Sequence, residues 1–341
     1  MATVAPAAPV PVQPARPRLA GRTLTVPAMG GSLVLRVAHR PVAGDAGARQ
    51  AAGRDLARVA RRVDRWAARR TRYSGTSDLA ALNSDPAAAA VAVRPTLAAA
   101  LAWAERAMDL CPGLVDVTLL DERLAAEAGD TGGTWPAGSP PAGPLPPDPG
   151  TRARWHLVRQ ARGGTAVRRG TFRFDLDGVA KGWIADRALA MLRAYPAAMA
   201  DADGDIALRL GDGVAWDIAI ADPGPGDGVL GVLRLDGRLP GGLVGVATSG
   251  TSVHRWPGAA GEPPRHHLLD PRTRRPAITD VIQATVLMST AREAEVLAKA
   301  VVIAGSDAGM DLLGRPDVHG AVLLLEGGDV VATPRTGEWL A

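Results

Sequence analysis

Phe174-Asp175-Leu176-Asp177-Gly178-Val179-Ala180-Lys181-Gly182-Trp183 is the stretch on which the reading of this chain turns. It predicts a strand from Arg168, a glycine-bearing turn over 175–183, and a helix from about 183 to 194. A strand, a glycine turn, a lysine and a helix start form a cradle for an anion, because backbone N–H groups at a helix N-terminus favour negative charge. The lysine is unusual in itself. Of 39 basic side chains only two are lysines, Lys181 and Lys299. Arg is a planar fork of donors, whereas Lys is a compact point charge that enters a narrow site. A chain this rich in Arg keeps Lys where Arg will not serve.

The chain's 341 residues suffice for one large domain or two smaller ones, and 47% hydrophobic residues supply a core. Aromatics make up 4%, so Ala, Val and Leu must do most of the packing. A formal net charge of +4 is little ground for a nucleic-acid partner. Cys111 is the single cysteine, which excludes an internal disulfide framework and a Cys-based metal site. No apolar run approaches the roughly 20 residues that cross a bilayer, so no membrane insertion is expected. Residues 1–20 read as a disordered Pro/Ala-rich leader that lacks the basic start and apolar core of a signal peptide. A cytoplasmic protein is the expectation.

Residues 24–26 and 33–37 read as strands joined by a turn at Met29-Gly30-Gly31. Leu56, Val59, Val63 and Trp66 make one helical stripe, and the arginines between Arg54 and Arg72 fall on the solvated faces of that helix. A short helix capped by Ser77 or Asp78 follows, then a helix over 95–110 with Pro95 in its first turn. The Gly/Pro-rich run at 129–150 reads as a surface insert in a single domain spanning 21–341. Beyond the central stretch come strands over 205–210, 216–220, 229–235 and 243–248, and a loop carrying His266-His267-Leu268-Leu269-Asp270-Pro271. Strand 284–288, helices 291–303 and 308–313, and strand 320–325 close the pattern. Antiparallel-looking strands mixed with separated helices predict an α+β fold with mixed, largely antiparallel sheets and packed helices.

Single motifs settle little about chemistry. Gly178-x-x-Lys181-Gly182 is neither a Walker A loop nor a dinucleotide fingerprint, because the glycine spacing is wrong and no Ser or Thr follows the Lys. The six histidines show no metal spacing. His266-His267 near Asp270 reads either as a base with an orienting carboxylate or as a pair of surface loop histidines. Thr248-Ser249-Gly250 lacks the nucleophile-elbow pattern. Asp201-Ala202-Asp203-Gly204-Asp205 lacks the rest of a calcium loop.

Their order says more. Met29-Gly30, Arg72-Tyr73 with Ser77-Asp78-Leu79 and Asn83, Val115-Asp116-Val117-Thr118, and Asp175 through Trp183 with Asp186 run collinear with a known pattern. Asp203-Gly204-Asp205, Trp216 through Pro223, Ala247 through Gly250, His267 through Pro271 and Ala294 through Lys299 with Gly305 continue it. Over about residues 23–341 the chain resembles the FAD:protein FMN transferase (ApbE-like) family.

That resemblance implies a T-fold-like architecture and an enzyme that cleaves the FAD pyrophosphate. The FMN half passes to a Thr or Ser hydroxyl of a flavin-acceptor protein as a phosphodiester, and AMP is released. Two alternatives remain: a flavin-nucleotide binder without transfer, and a pyrophosphatase with water as acceptor. By the same resemblance Met29, Tyr73, Leu114, Val115, Asp116, Asp175, Lys181 and Leu269 contact FAD. His267 is the base, Asp270 its orienting partner, and Lys181 serves the pyrophosphate. Magnesium is implied on the Gly178 carbonyl and the side chains at 295 and 299. Here, however, Glu295 and Lys299 stand where the family pattern has Asp and Thr. Glu ligates magnesium; an ammonium does not. The expectation is that Lys299 supplies the charge itself and FAD binds with little or no magnesium. Asp203 and Arg274 occupy turn positions where the family pattern has glycine.

Overall fold

The computed structural model describes residues 20–39, 46–128, 154–211, 214–226, 228–237, 239–257 and 265–340; the insert at 129–150 and all of the leader but Ala20 lie outside them. Helices are α1 (Ala46–Arg70), α2 (Asp78–Asn83), α3 (Pro95–Leu110), α4 (Leu120–Glu127), α5 (Asp177–Met191), α6 (Ala291–Ala304) and α7 (Ser306–Leu313). The first strands are β1 (Ala20–Ala28), β2 (Gly31–His39), β3 (Ala90–Val93), β4 (Trp155–Gln160), β5 (Gly163–Arg168), β6 (Ala197–Ala202) and β7 (Asp205–Arg209). They are followed by β8 (Ala215–Ala221), β9 (Val229–Asp236), β10 (Leu243–Gly250), and four two-residue strands, β11 (Arg255–Trp256), β12 (Arg265–His266), β13 (Leu269–Asp270) and β14 (Arg275–Pro276). The last are β15 (Val281–Met288), β16 (Gly320–Leu325) and β17 (Val330–Ala332).

Eight strands form one sheet in the order β1-β2-β6-β7-β10-β15-β16-β17, every neighbour antiparallel. The alternation of side chains along these strands builds two cores. Ala200, Ala202, Ala207, Ala247, Ala284 and Ala321 face the helices. Leu208, Val246, Leu287 and Val322, one residue out of phase, face the β8–β9 hairpin with Trp216, Leu233 and Leu235. Small residues on the helical face let helices come close: a Cβ on Gly245 of β10 would overlap the backbone of Thr290 and Ala291, where α6 begins. The α+β expectation holds. Strands β3-β5-β4 make a smaller sheet, with Trp155, Phe172 and Phe174 packed edge to face at centroid distances of 5.0 and 5.3 Å.

At the β1–β2 turn both central residues have positive φ, Met29 at 56° and Gly30 at 80°, the geometry that matches the twist of a tight hairpin. Helix α1 buries Leu56, Val59, Val63 and Trp66 as its stripe predicts, and α3 has the expected bounds.

The central stretch differs from the expectation in a way that matters for the site. Helix α5 starts at Asp177, not near 183, so Gly178, Lys181 and Gly182 lie in its first turns. The strand before it ends at Arg168. Residues 174–176 pair with no strand. The Asn83 side-chain amide donates to the Phe174 carbonyl and accepts from its N–H, each at 2.8 Å, and Asp175 N–H donates to Val117 O at 2.8 Å. An asparagine and a loop thus satisfy a backbone that would otherwise need a ladder.

Candidate functional site

Helices α5 and α6 form one wall of the site, and two glycines four residues apart set their approach. A Cβ on Gly182 would lie 2.6 Å from the Ala291 carbonyl oxygen, and one on Gly178 would fall on the Lys299 ammonium. Glu295 and Lys299 are also four apart, so α6 presents both on the face it turns to α5. Gly182 N–H donates to Glu295 Oε2 at 3.0 Å, and Lys299 Nζ donates to the Gly178 carbonyl. Asp186 closes the junction by accepting from the N–H groups of Ala291 (2.9 Å) and Arg292 (3.3 Å), the first turn of α6.

This wall is rich in buried charge. Burial raises the Glu295 carboxyl to about 7 against the opposing pull of Lys299. Burial, with Glu295 close by, raises Asp205 well above the usual carboxylate range. Asp175 is pushed up to about 6 by burial and by Asp177. Burial lowers the Lys299 ammonium, while Glu295, Asp205 and Asp175 work to keep it charged. Lys181, one turn along α5, donates to Asp203 Oδ2 at 2.6 Å. Burial lowers its pKa, but the Asp203 hydrogen bond and the charges of Asp203, Asp205 and Glu295 outweigh that and leave it raised. Asp203 sits at the β6–β7 turn with φ of 60°, its carboxylate over Gly31 at a point where any Cβ would overlap it. The glycine-type turns at Asp203 and Arg274 therefore form, with both residues in the left-handed region, where a side chain is strained.

Loops form the opposite wall. His267 Nδ1 lies 3.1 Å from the Val253 carbonyl oxygen. A carbonyl only accepts, so Nδ1 carries the proton and Nε2 keeps the lone pair. The imidazole is lowered to about 3 by loss of water, then by Arg123, Lys299, His254 and His266; it is neutral at physiological pH. The His254 ring meets it edge-on at 5.4 Å. Asp270 is not its orienting partner. Its carboxylate accepts from the Arg272 guanidinium at 2.7 Å and from Arg272 N–H at 2.9 Å, closing its own turn. A neighbour two residues away reaches that carboxylate more easily than an imidazole held on a backbone carbonyl.

Between the walls lies a cavity of about 790 Å³, and every expected site residue except Asp270 lines it. Met29, Leu114, Val115 and Leu269 give it apolar surface. Tyr73 is 74% exposed at its edge, with the Arg72 guanidinium stacked 4.2 Å above its ring. Arg72 is held by Glu127 and by Asp177 at 3.2 Å. The Asp116 carboxylate is used in its own turn, accepting from Thr118 N–H and Oγ1 at 2.8 Å each. Arg123 and Asp205 also line the cavity and had no assigned role in the sequence. Arg123 belongs to α4, which the reading passed over; it donates to Glu127 at 2.7 Å and to the His267 carbonyl at 3.3 Å. In the sequence Asp205 stood out as the end of an acidic run, the start of a strand and part of a collinear block, with no role attached to its side chain. Alternation in β7 buries it on the helical side.

The groups expected to hold magnesium come together, but they meet each other. The Gly178 carbonyl receives the Lys299 ammonium, and Glu295 receives the Gly182 amide. Among the described residues no group of three or more His, Cys, Asp or Glu side chains is arranged to hold a metal. A magnesium ion needs near-octahedral oxygen donors and tolerates no ammonium among them. This donor set does not fit a divalent cation.

No curated protein sequence matches the chain. Among solved structures, the ApbE protein of Thermotoga maritima is 21% identical, with 94% of this chain and 100% of that one covered at a TM-score of 0.71. The apo form of the Pseudomonas stutzeri flavinyl transferase ApbE is 21% identical over 94% and 97%, at 0.68. The flavin transferase ApbE from Vibrio cholerae is 24% identical over 95% and 100%, at 0.67. These similarities show a shared fold. A model of the ApbE family matches residues 29–323, and the chain belongs to the ApbE family.

Proposed function

We propose that this chain is an FAD:protein FMN transferase that acts on a Thr or Ser hydroxyl of an acceptor protein. The observation that carries the reading is the joining, in one cavity, of apolar walls, a lysine and a neutral histidine whose Nε2 carries the lone pair. Its volume lies in the range of about 300–1,000 Å³ that small-molecule sites occupy. Met29, Leu114, Val115 and Leu269 supply surface for the flavin ring. Lys181 faces the pyrophosphate, with Asp203 as the counter-ion that the phosphate must displace. The acceptor hydroxyl oxygen attacks the FMN phosphorus, its proton passes to His267 Nε2, and the bond from that phosphorus to the bridging oxygen breaks. AMP leaves with the electron pair of that bond. His267 is unprotonated across the physiological range and so has a lone pair to offer, with its ring held by the Val253 carbonyl where the resemblance pointed to Asp270.

The fold of this chain matches solved proteins named as flavin transferases, which supports the reading. The test is incubation with FAD and an acceptor domain bearing the target Thr, followed by mass spectrometry. One FMN added to the acceptor, with one AMP released, is the expected result. Free FMN and AMP without modified acceptor would make water the acceptor. Bound, intact FAD would make the chain a flavin carrier. No helix of the described residues is long and apolar enough to cross a membrane.

A further inference from the structure

The two lysines of this chain stand at one cavity, and they differ in what they touch. Lys181 has an acidic side chain as partner. Lys299 points its ammonium at a backbone carbonyl, that of Gly178, and no carboxylate lies within ion-pair distance of it among the described contacts. Both Gly178 and Lys299 line the cavity. The space is specific to this arrangement, because any side chain at residue 178 would occupy the position of Nζ. Buried carboxyls of Glu295, Asp205 and Asp175 surround the ammonium at longer range. An ammonium has three N–H donors. One goes to Gly178 O, which leaves two for oxygens of a ligand in the cavity.

We infer that the Lys299 ammonium is a tethered cation that occupies the place of a divalent ion at the phosphate end of the cavity, so that this chain holds FAD without a divalent metal. The inference rests on the proposed transferase reading for its ligand, but not for its chemistry. A carbonyl that receives an ammonium is closed to a second cation, since the two positive charges would lie within about 3–4 Å of each other in a poorly hydrated site. Arg cannot substitute, because its planar fork does not enter a gap that a glycine alone keeps open. In a chain with 39 basic side chains of which two are Lys, that is a physical reason for lysine at residue 299. The competing role is purely mechanical, a tie between α5 and α6. It predicts that removing the charge changes stability and leaves nucleotide binding alone.

Two measurements separate these roles. The first is a manganese(II) titration of the wild-type protein followed by electron paramagnetic resonance, with and without FAD. No bound manganese is expected in wild type, and one equivalent in Lys299→Thr, which restores an oxygen and frees the Gly178 carbonyl. Stoichiometric manganese on wild type overturns the inference. The second is FAD binding by flavin fluorescence in EDTA and in excess magnesium. Wild type is expected to bind equally in both. Lys299→Met, which keeps the bulk of the stem, should bind about 10–100-fold more weakly in both, the worth of a charge-assisted hydrogen bond. Lys299→Thr should bind weakly in EDTA and regain affinity with magnesium. A wild type that needs magnesium, or a Lys299→Met protein that binds as wild type does, refutes the tethered cation. If wild type binds no FAD in either buffer, the transferase reading falls, and the manganese titration still decides whether Lys299 closes the site to metal.

Discussion

The two walls of the cavity are built by different means. The α5–α6 wall is fixed by packing: Gly182 under the Ala291 carbonyl, Asp186 on the first turn of α6, Glu295 and Lys299 on the glycines of α5. The loop wall is fixed by local polar contacts: His267 on Val253 O, Asp116 on Thr118 and Asp270 on Arg272 within their own turns. The helical wall therefore carries charge that would be expensive to bury without neighbours, because its carboxyls and ammonium answer one another. The loop wall carries a neutral base that needs no counter-charge. The proposed reaction, which binds a polyanion and deprotonates a hydroxyl, uses both, and the walls are not independent: the Lys299 charge helps to keep the His267 imidazole neutral.

The largest effect that would break this contrast belongs to the loop wall. His267→Ala should lower flavin transfer about 10²–10⁴-fold, the range for loss of a general base, while FAD affinity measured by fluorescence stays near wild type. The wild-type rate should also persist down to about pH 5, below the ordinary histidine pKa of about 6.5, because this imidazole binds a proton only in stronger acid. Asp270→Asn should leave that profile in place, since the carboxylate serves Arg272. A shift of the profile in Asp270→Asn would return it to the role of orienting His267.

On the helical wall, Gly182→Ala should destabilise the fold by about 1–3 kcal/mol through overpacking against the Ala291 backbone, read from denaturant midpoints. A midpoint unchanged from wild type would mean that the helices have room to part. Asp186 gives a smaller and pH-dependent effect. Its carboxyl is raised to about 6 by burial, against the pull of two backbone N–H groups and Arg292. A raised carboxyl favours the folded state fully below its unfolded pKa of about 3.9. That contribution is lost as pH rises through 6. Stability should fall between about pH 4 and pH 6, and Asp186→Asn should flatten the fall by about 1–2 kcal/mol. An identical slope in the variant would remove Asp186 as its source.

The smallest effect belongs to the Lys181–Asp203 pair. Asp203→Gly removes the counter-ion of Lys181 and places glycine where φ is 60°. Exposed ion pairs contribute about 0–1 kcal/mol, and relief of the left-handed strain is worth about 1 kcal/mol in the other direction. The protein should melt slightly higher or unchanged, and FAD should bind up to about fivefold more tightly. Weaker binding, by isothermal calorimetry, would show that Asp203 orients Lys181 instead of competing for it.

Local chemistry was enough for some elements. Pro95 and the stripe behind it set α3 to the residue, and the apolar run at Gly320–Leu325 marks β16. The Met29-Gly30 turn is a two-residue hairpin signal. Other elements were out of reach. Strand β6 reads Ala-Ala-Met-Ala-Asp-Ala, a poor strand by propensity, and it forms because β2 and β7 pair with it on both sides. Helix α4 has a weak stripe beside a Gly/Pro-rich run. Strand β5 contains two glycines, and one of its neighbours, β3, lies across the insert in the chain.

The candidate site residues could be marked on the sequence alone. Two lysines among many arginines, a histidine loop and a collinear set of motifs are properties of the chain, and they pointed to one pocket before any geometry was known. What those groups do to one another depends on packing. The α5 start at Asp177, the Lys299 ammonium on the Gly178 carbonyl, the loss of Asp270 to Arg272 and the pairing of Lys181 with Asp203 all depend on contacts between residues far apart in the chain or on turns closed by their neighbours. Periodicity records which way a side chain faces. It does not record what stands opposite, and in a buried, charged site the opposite group sets both protonation and partner.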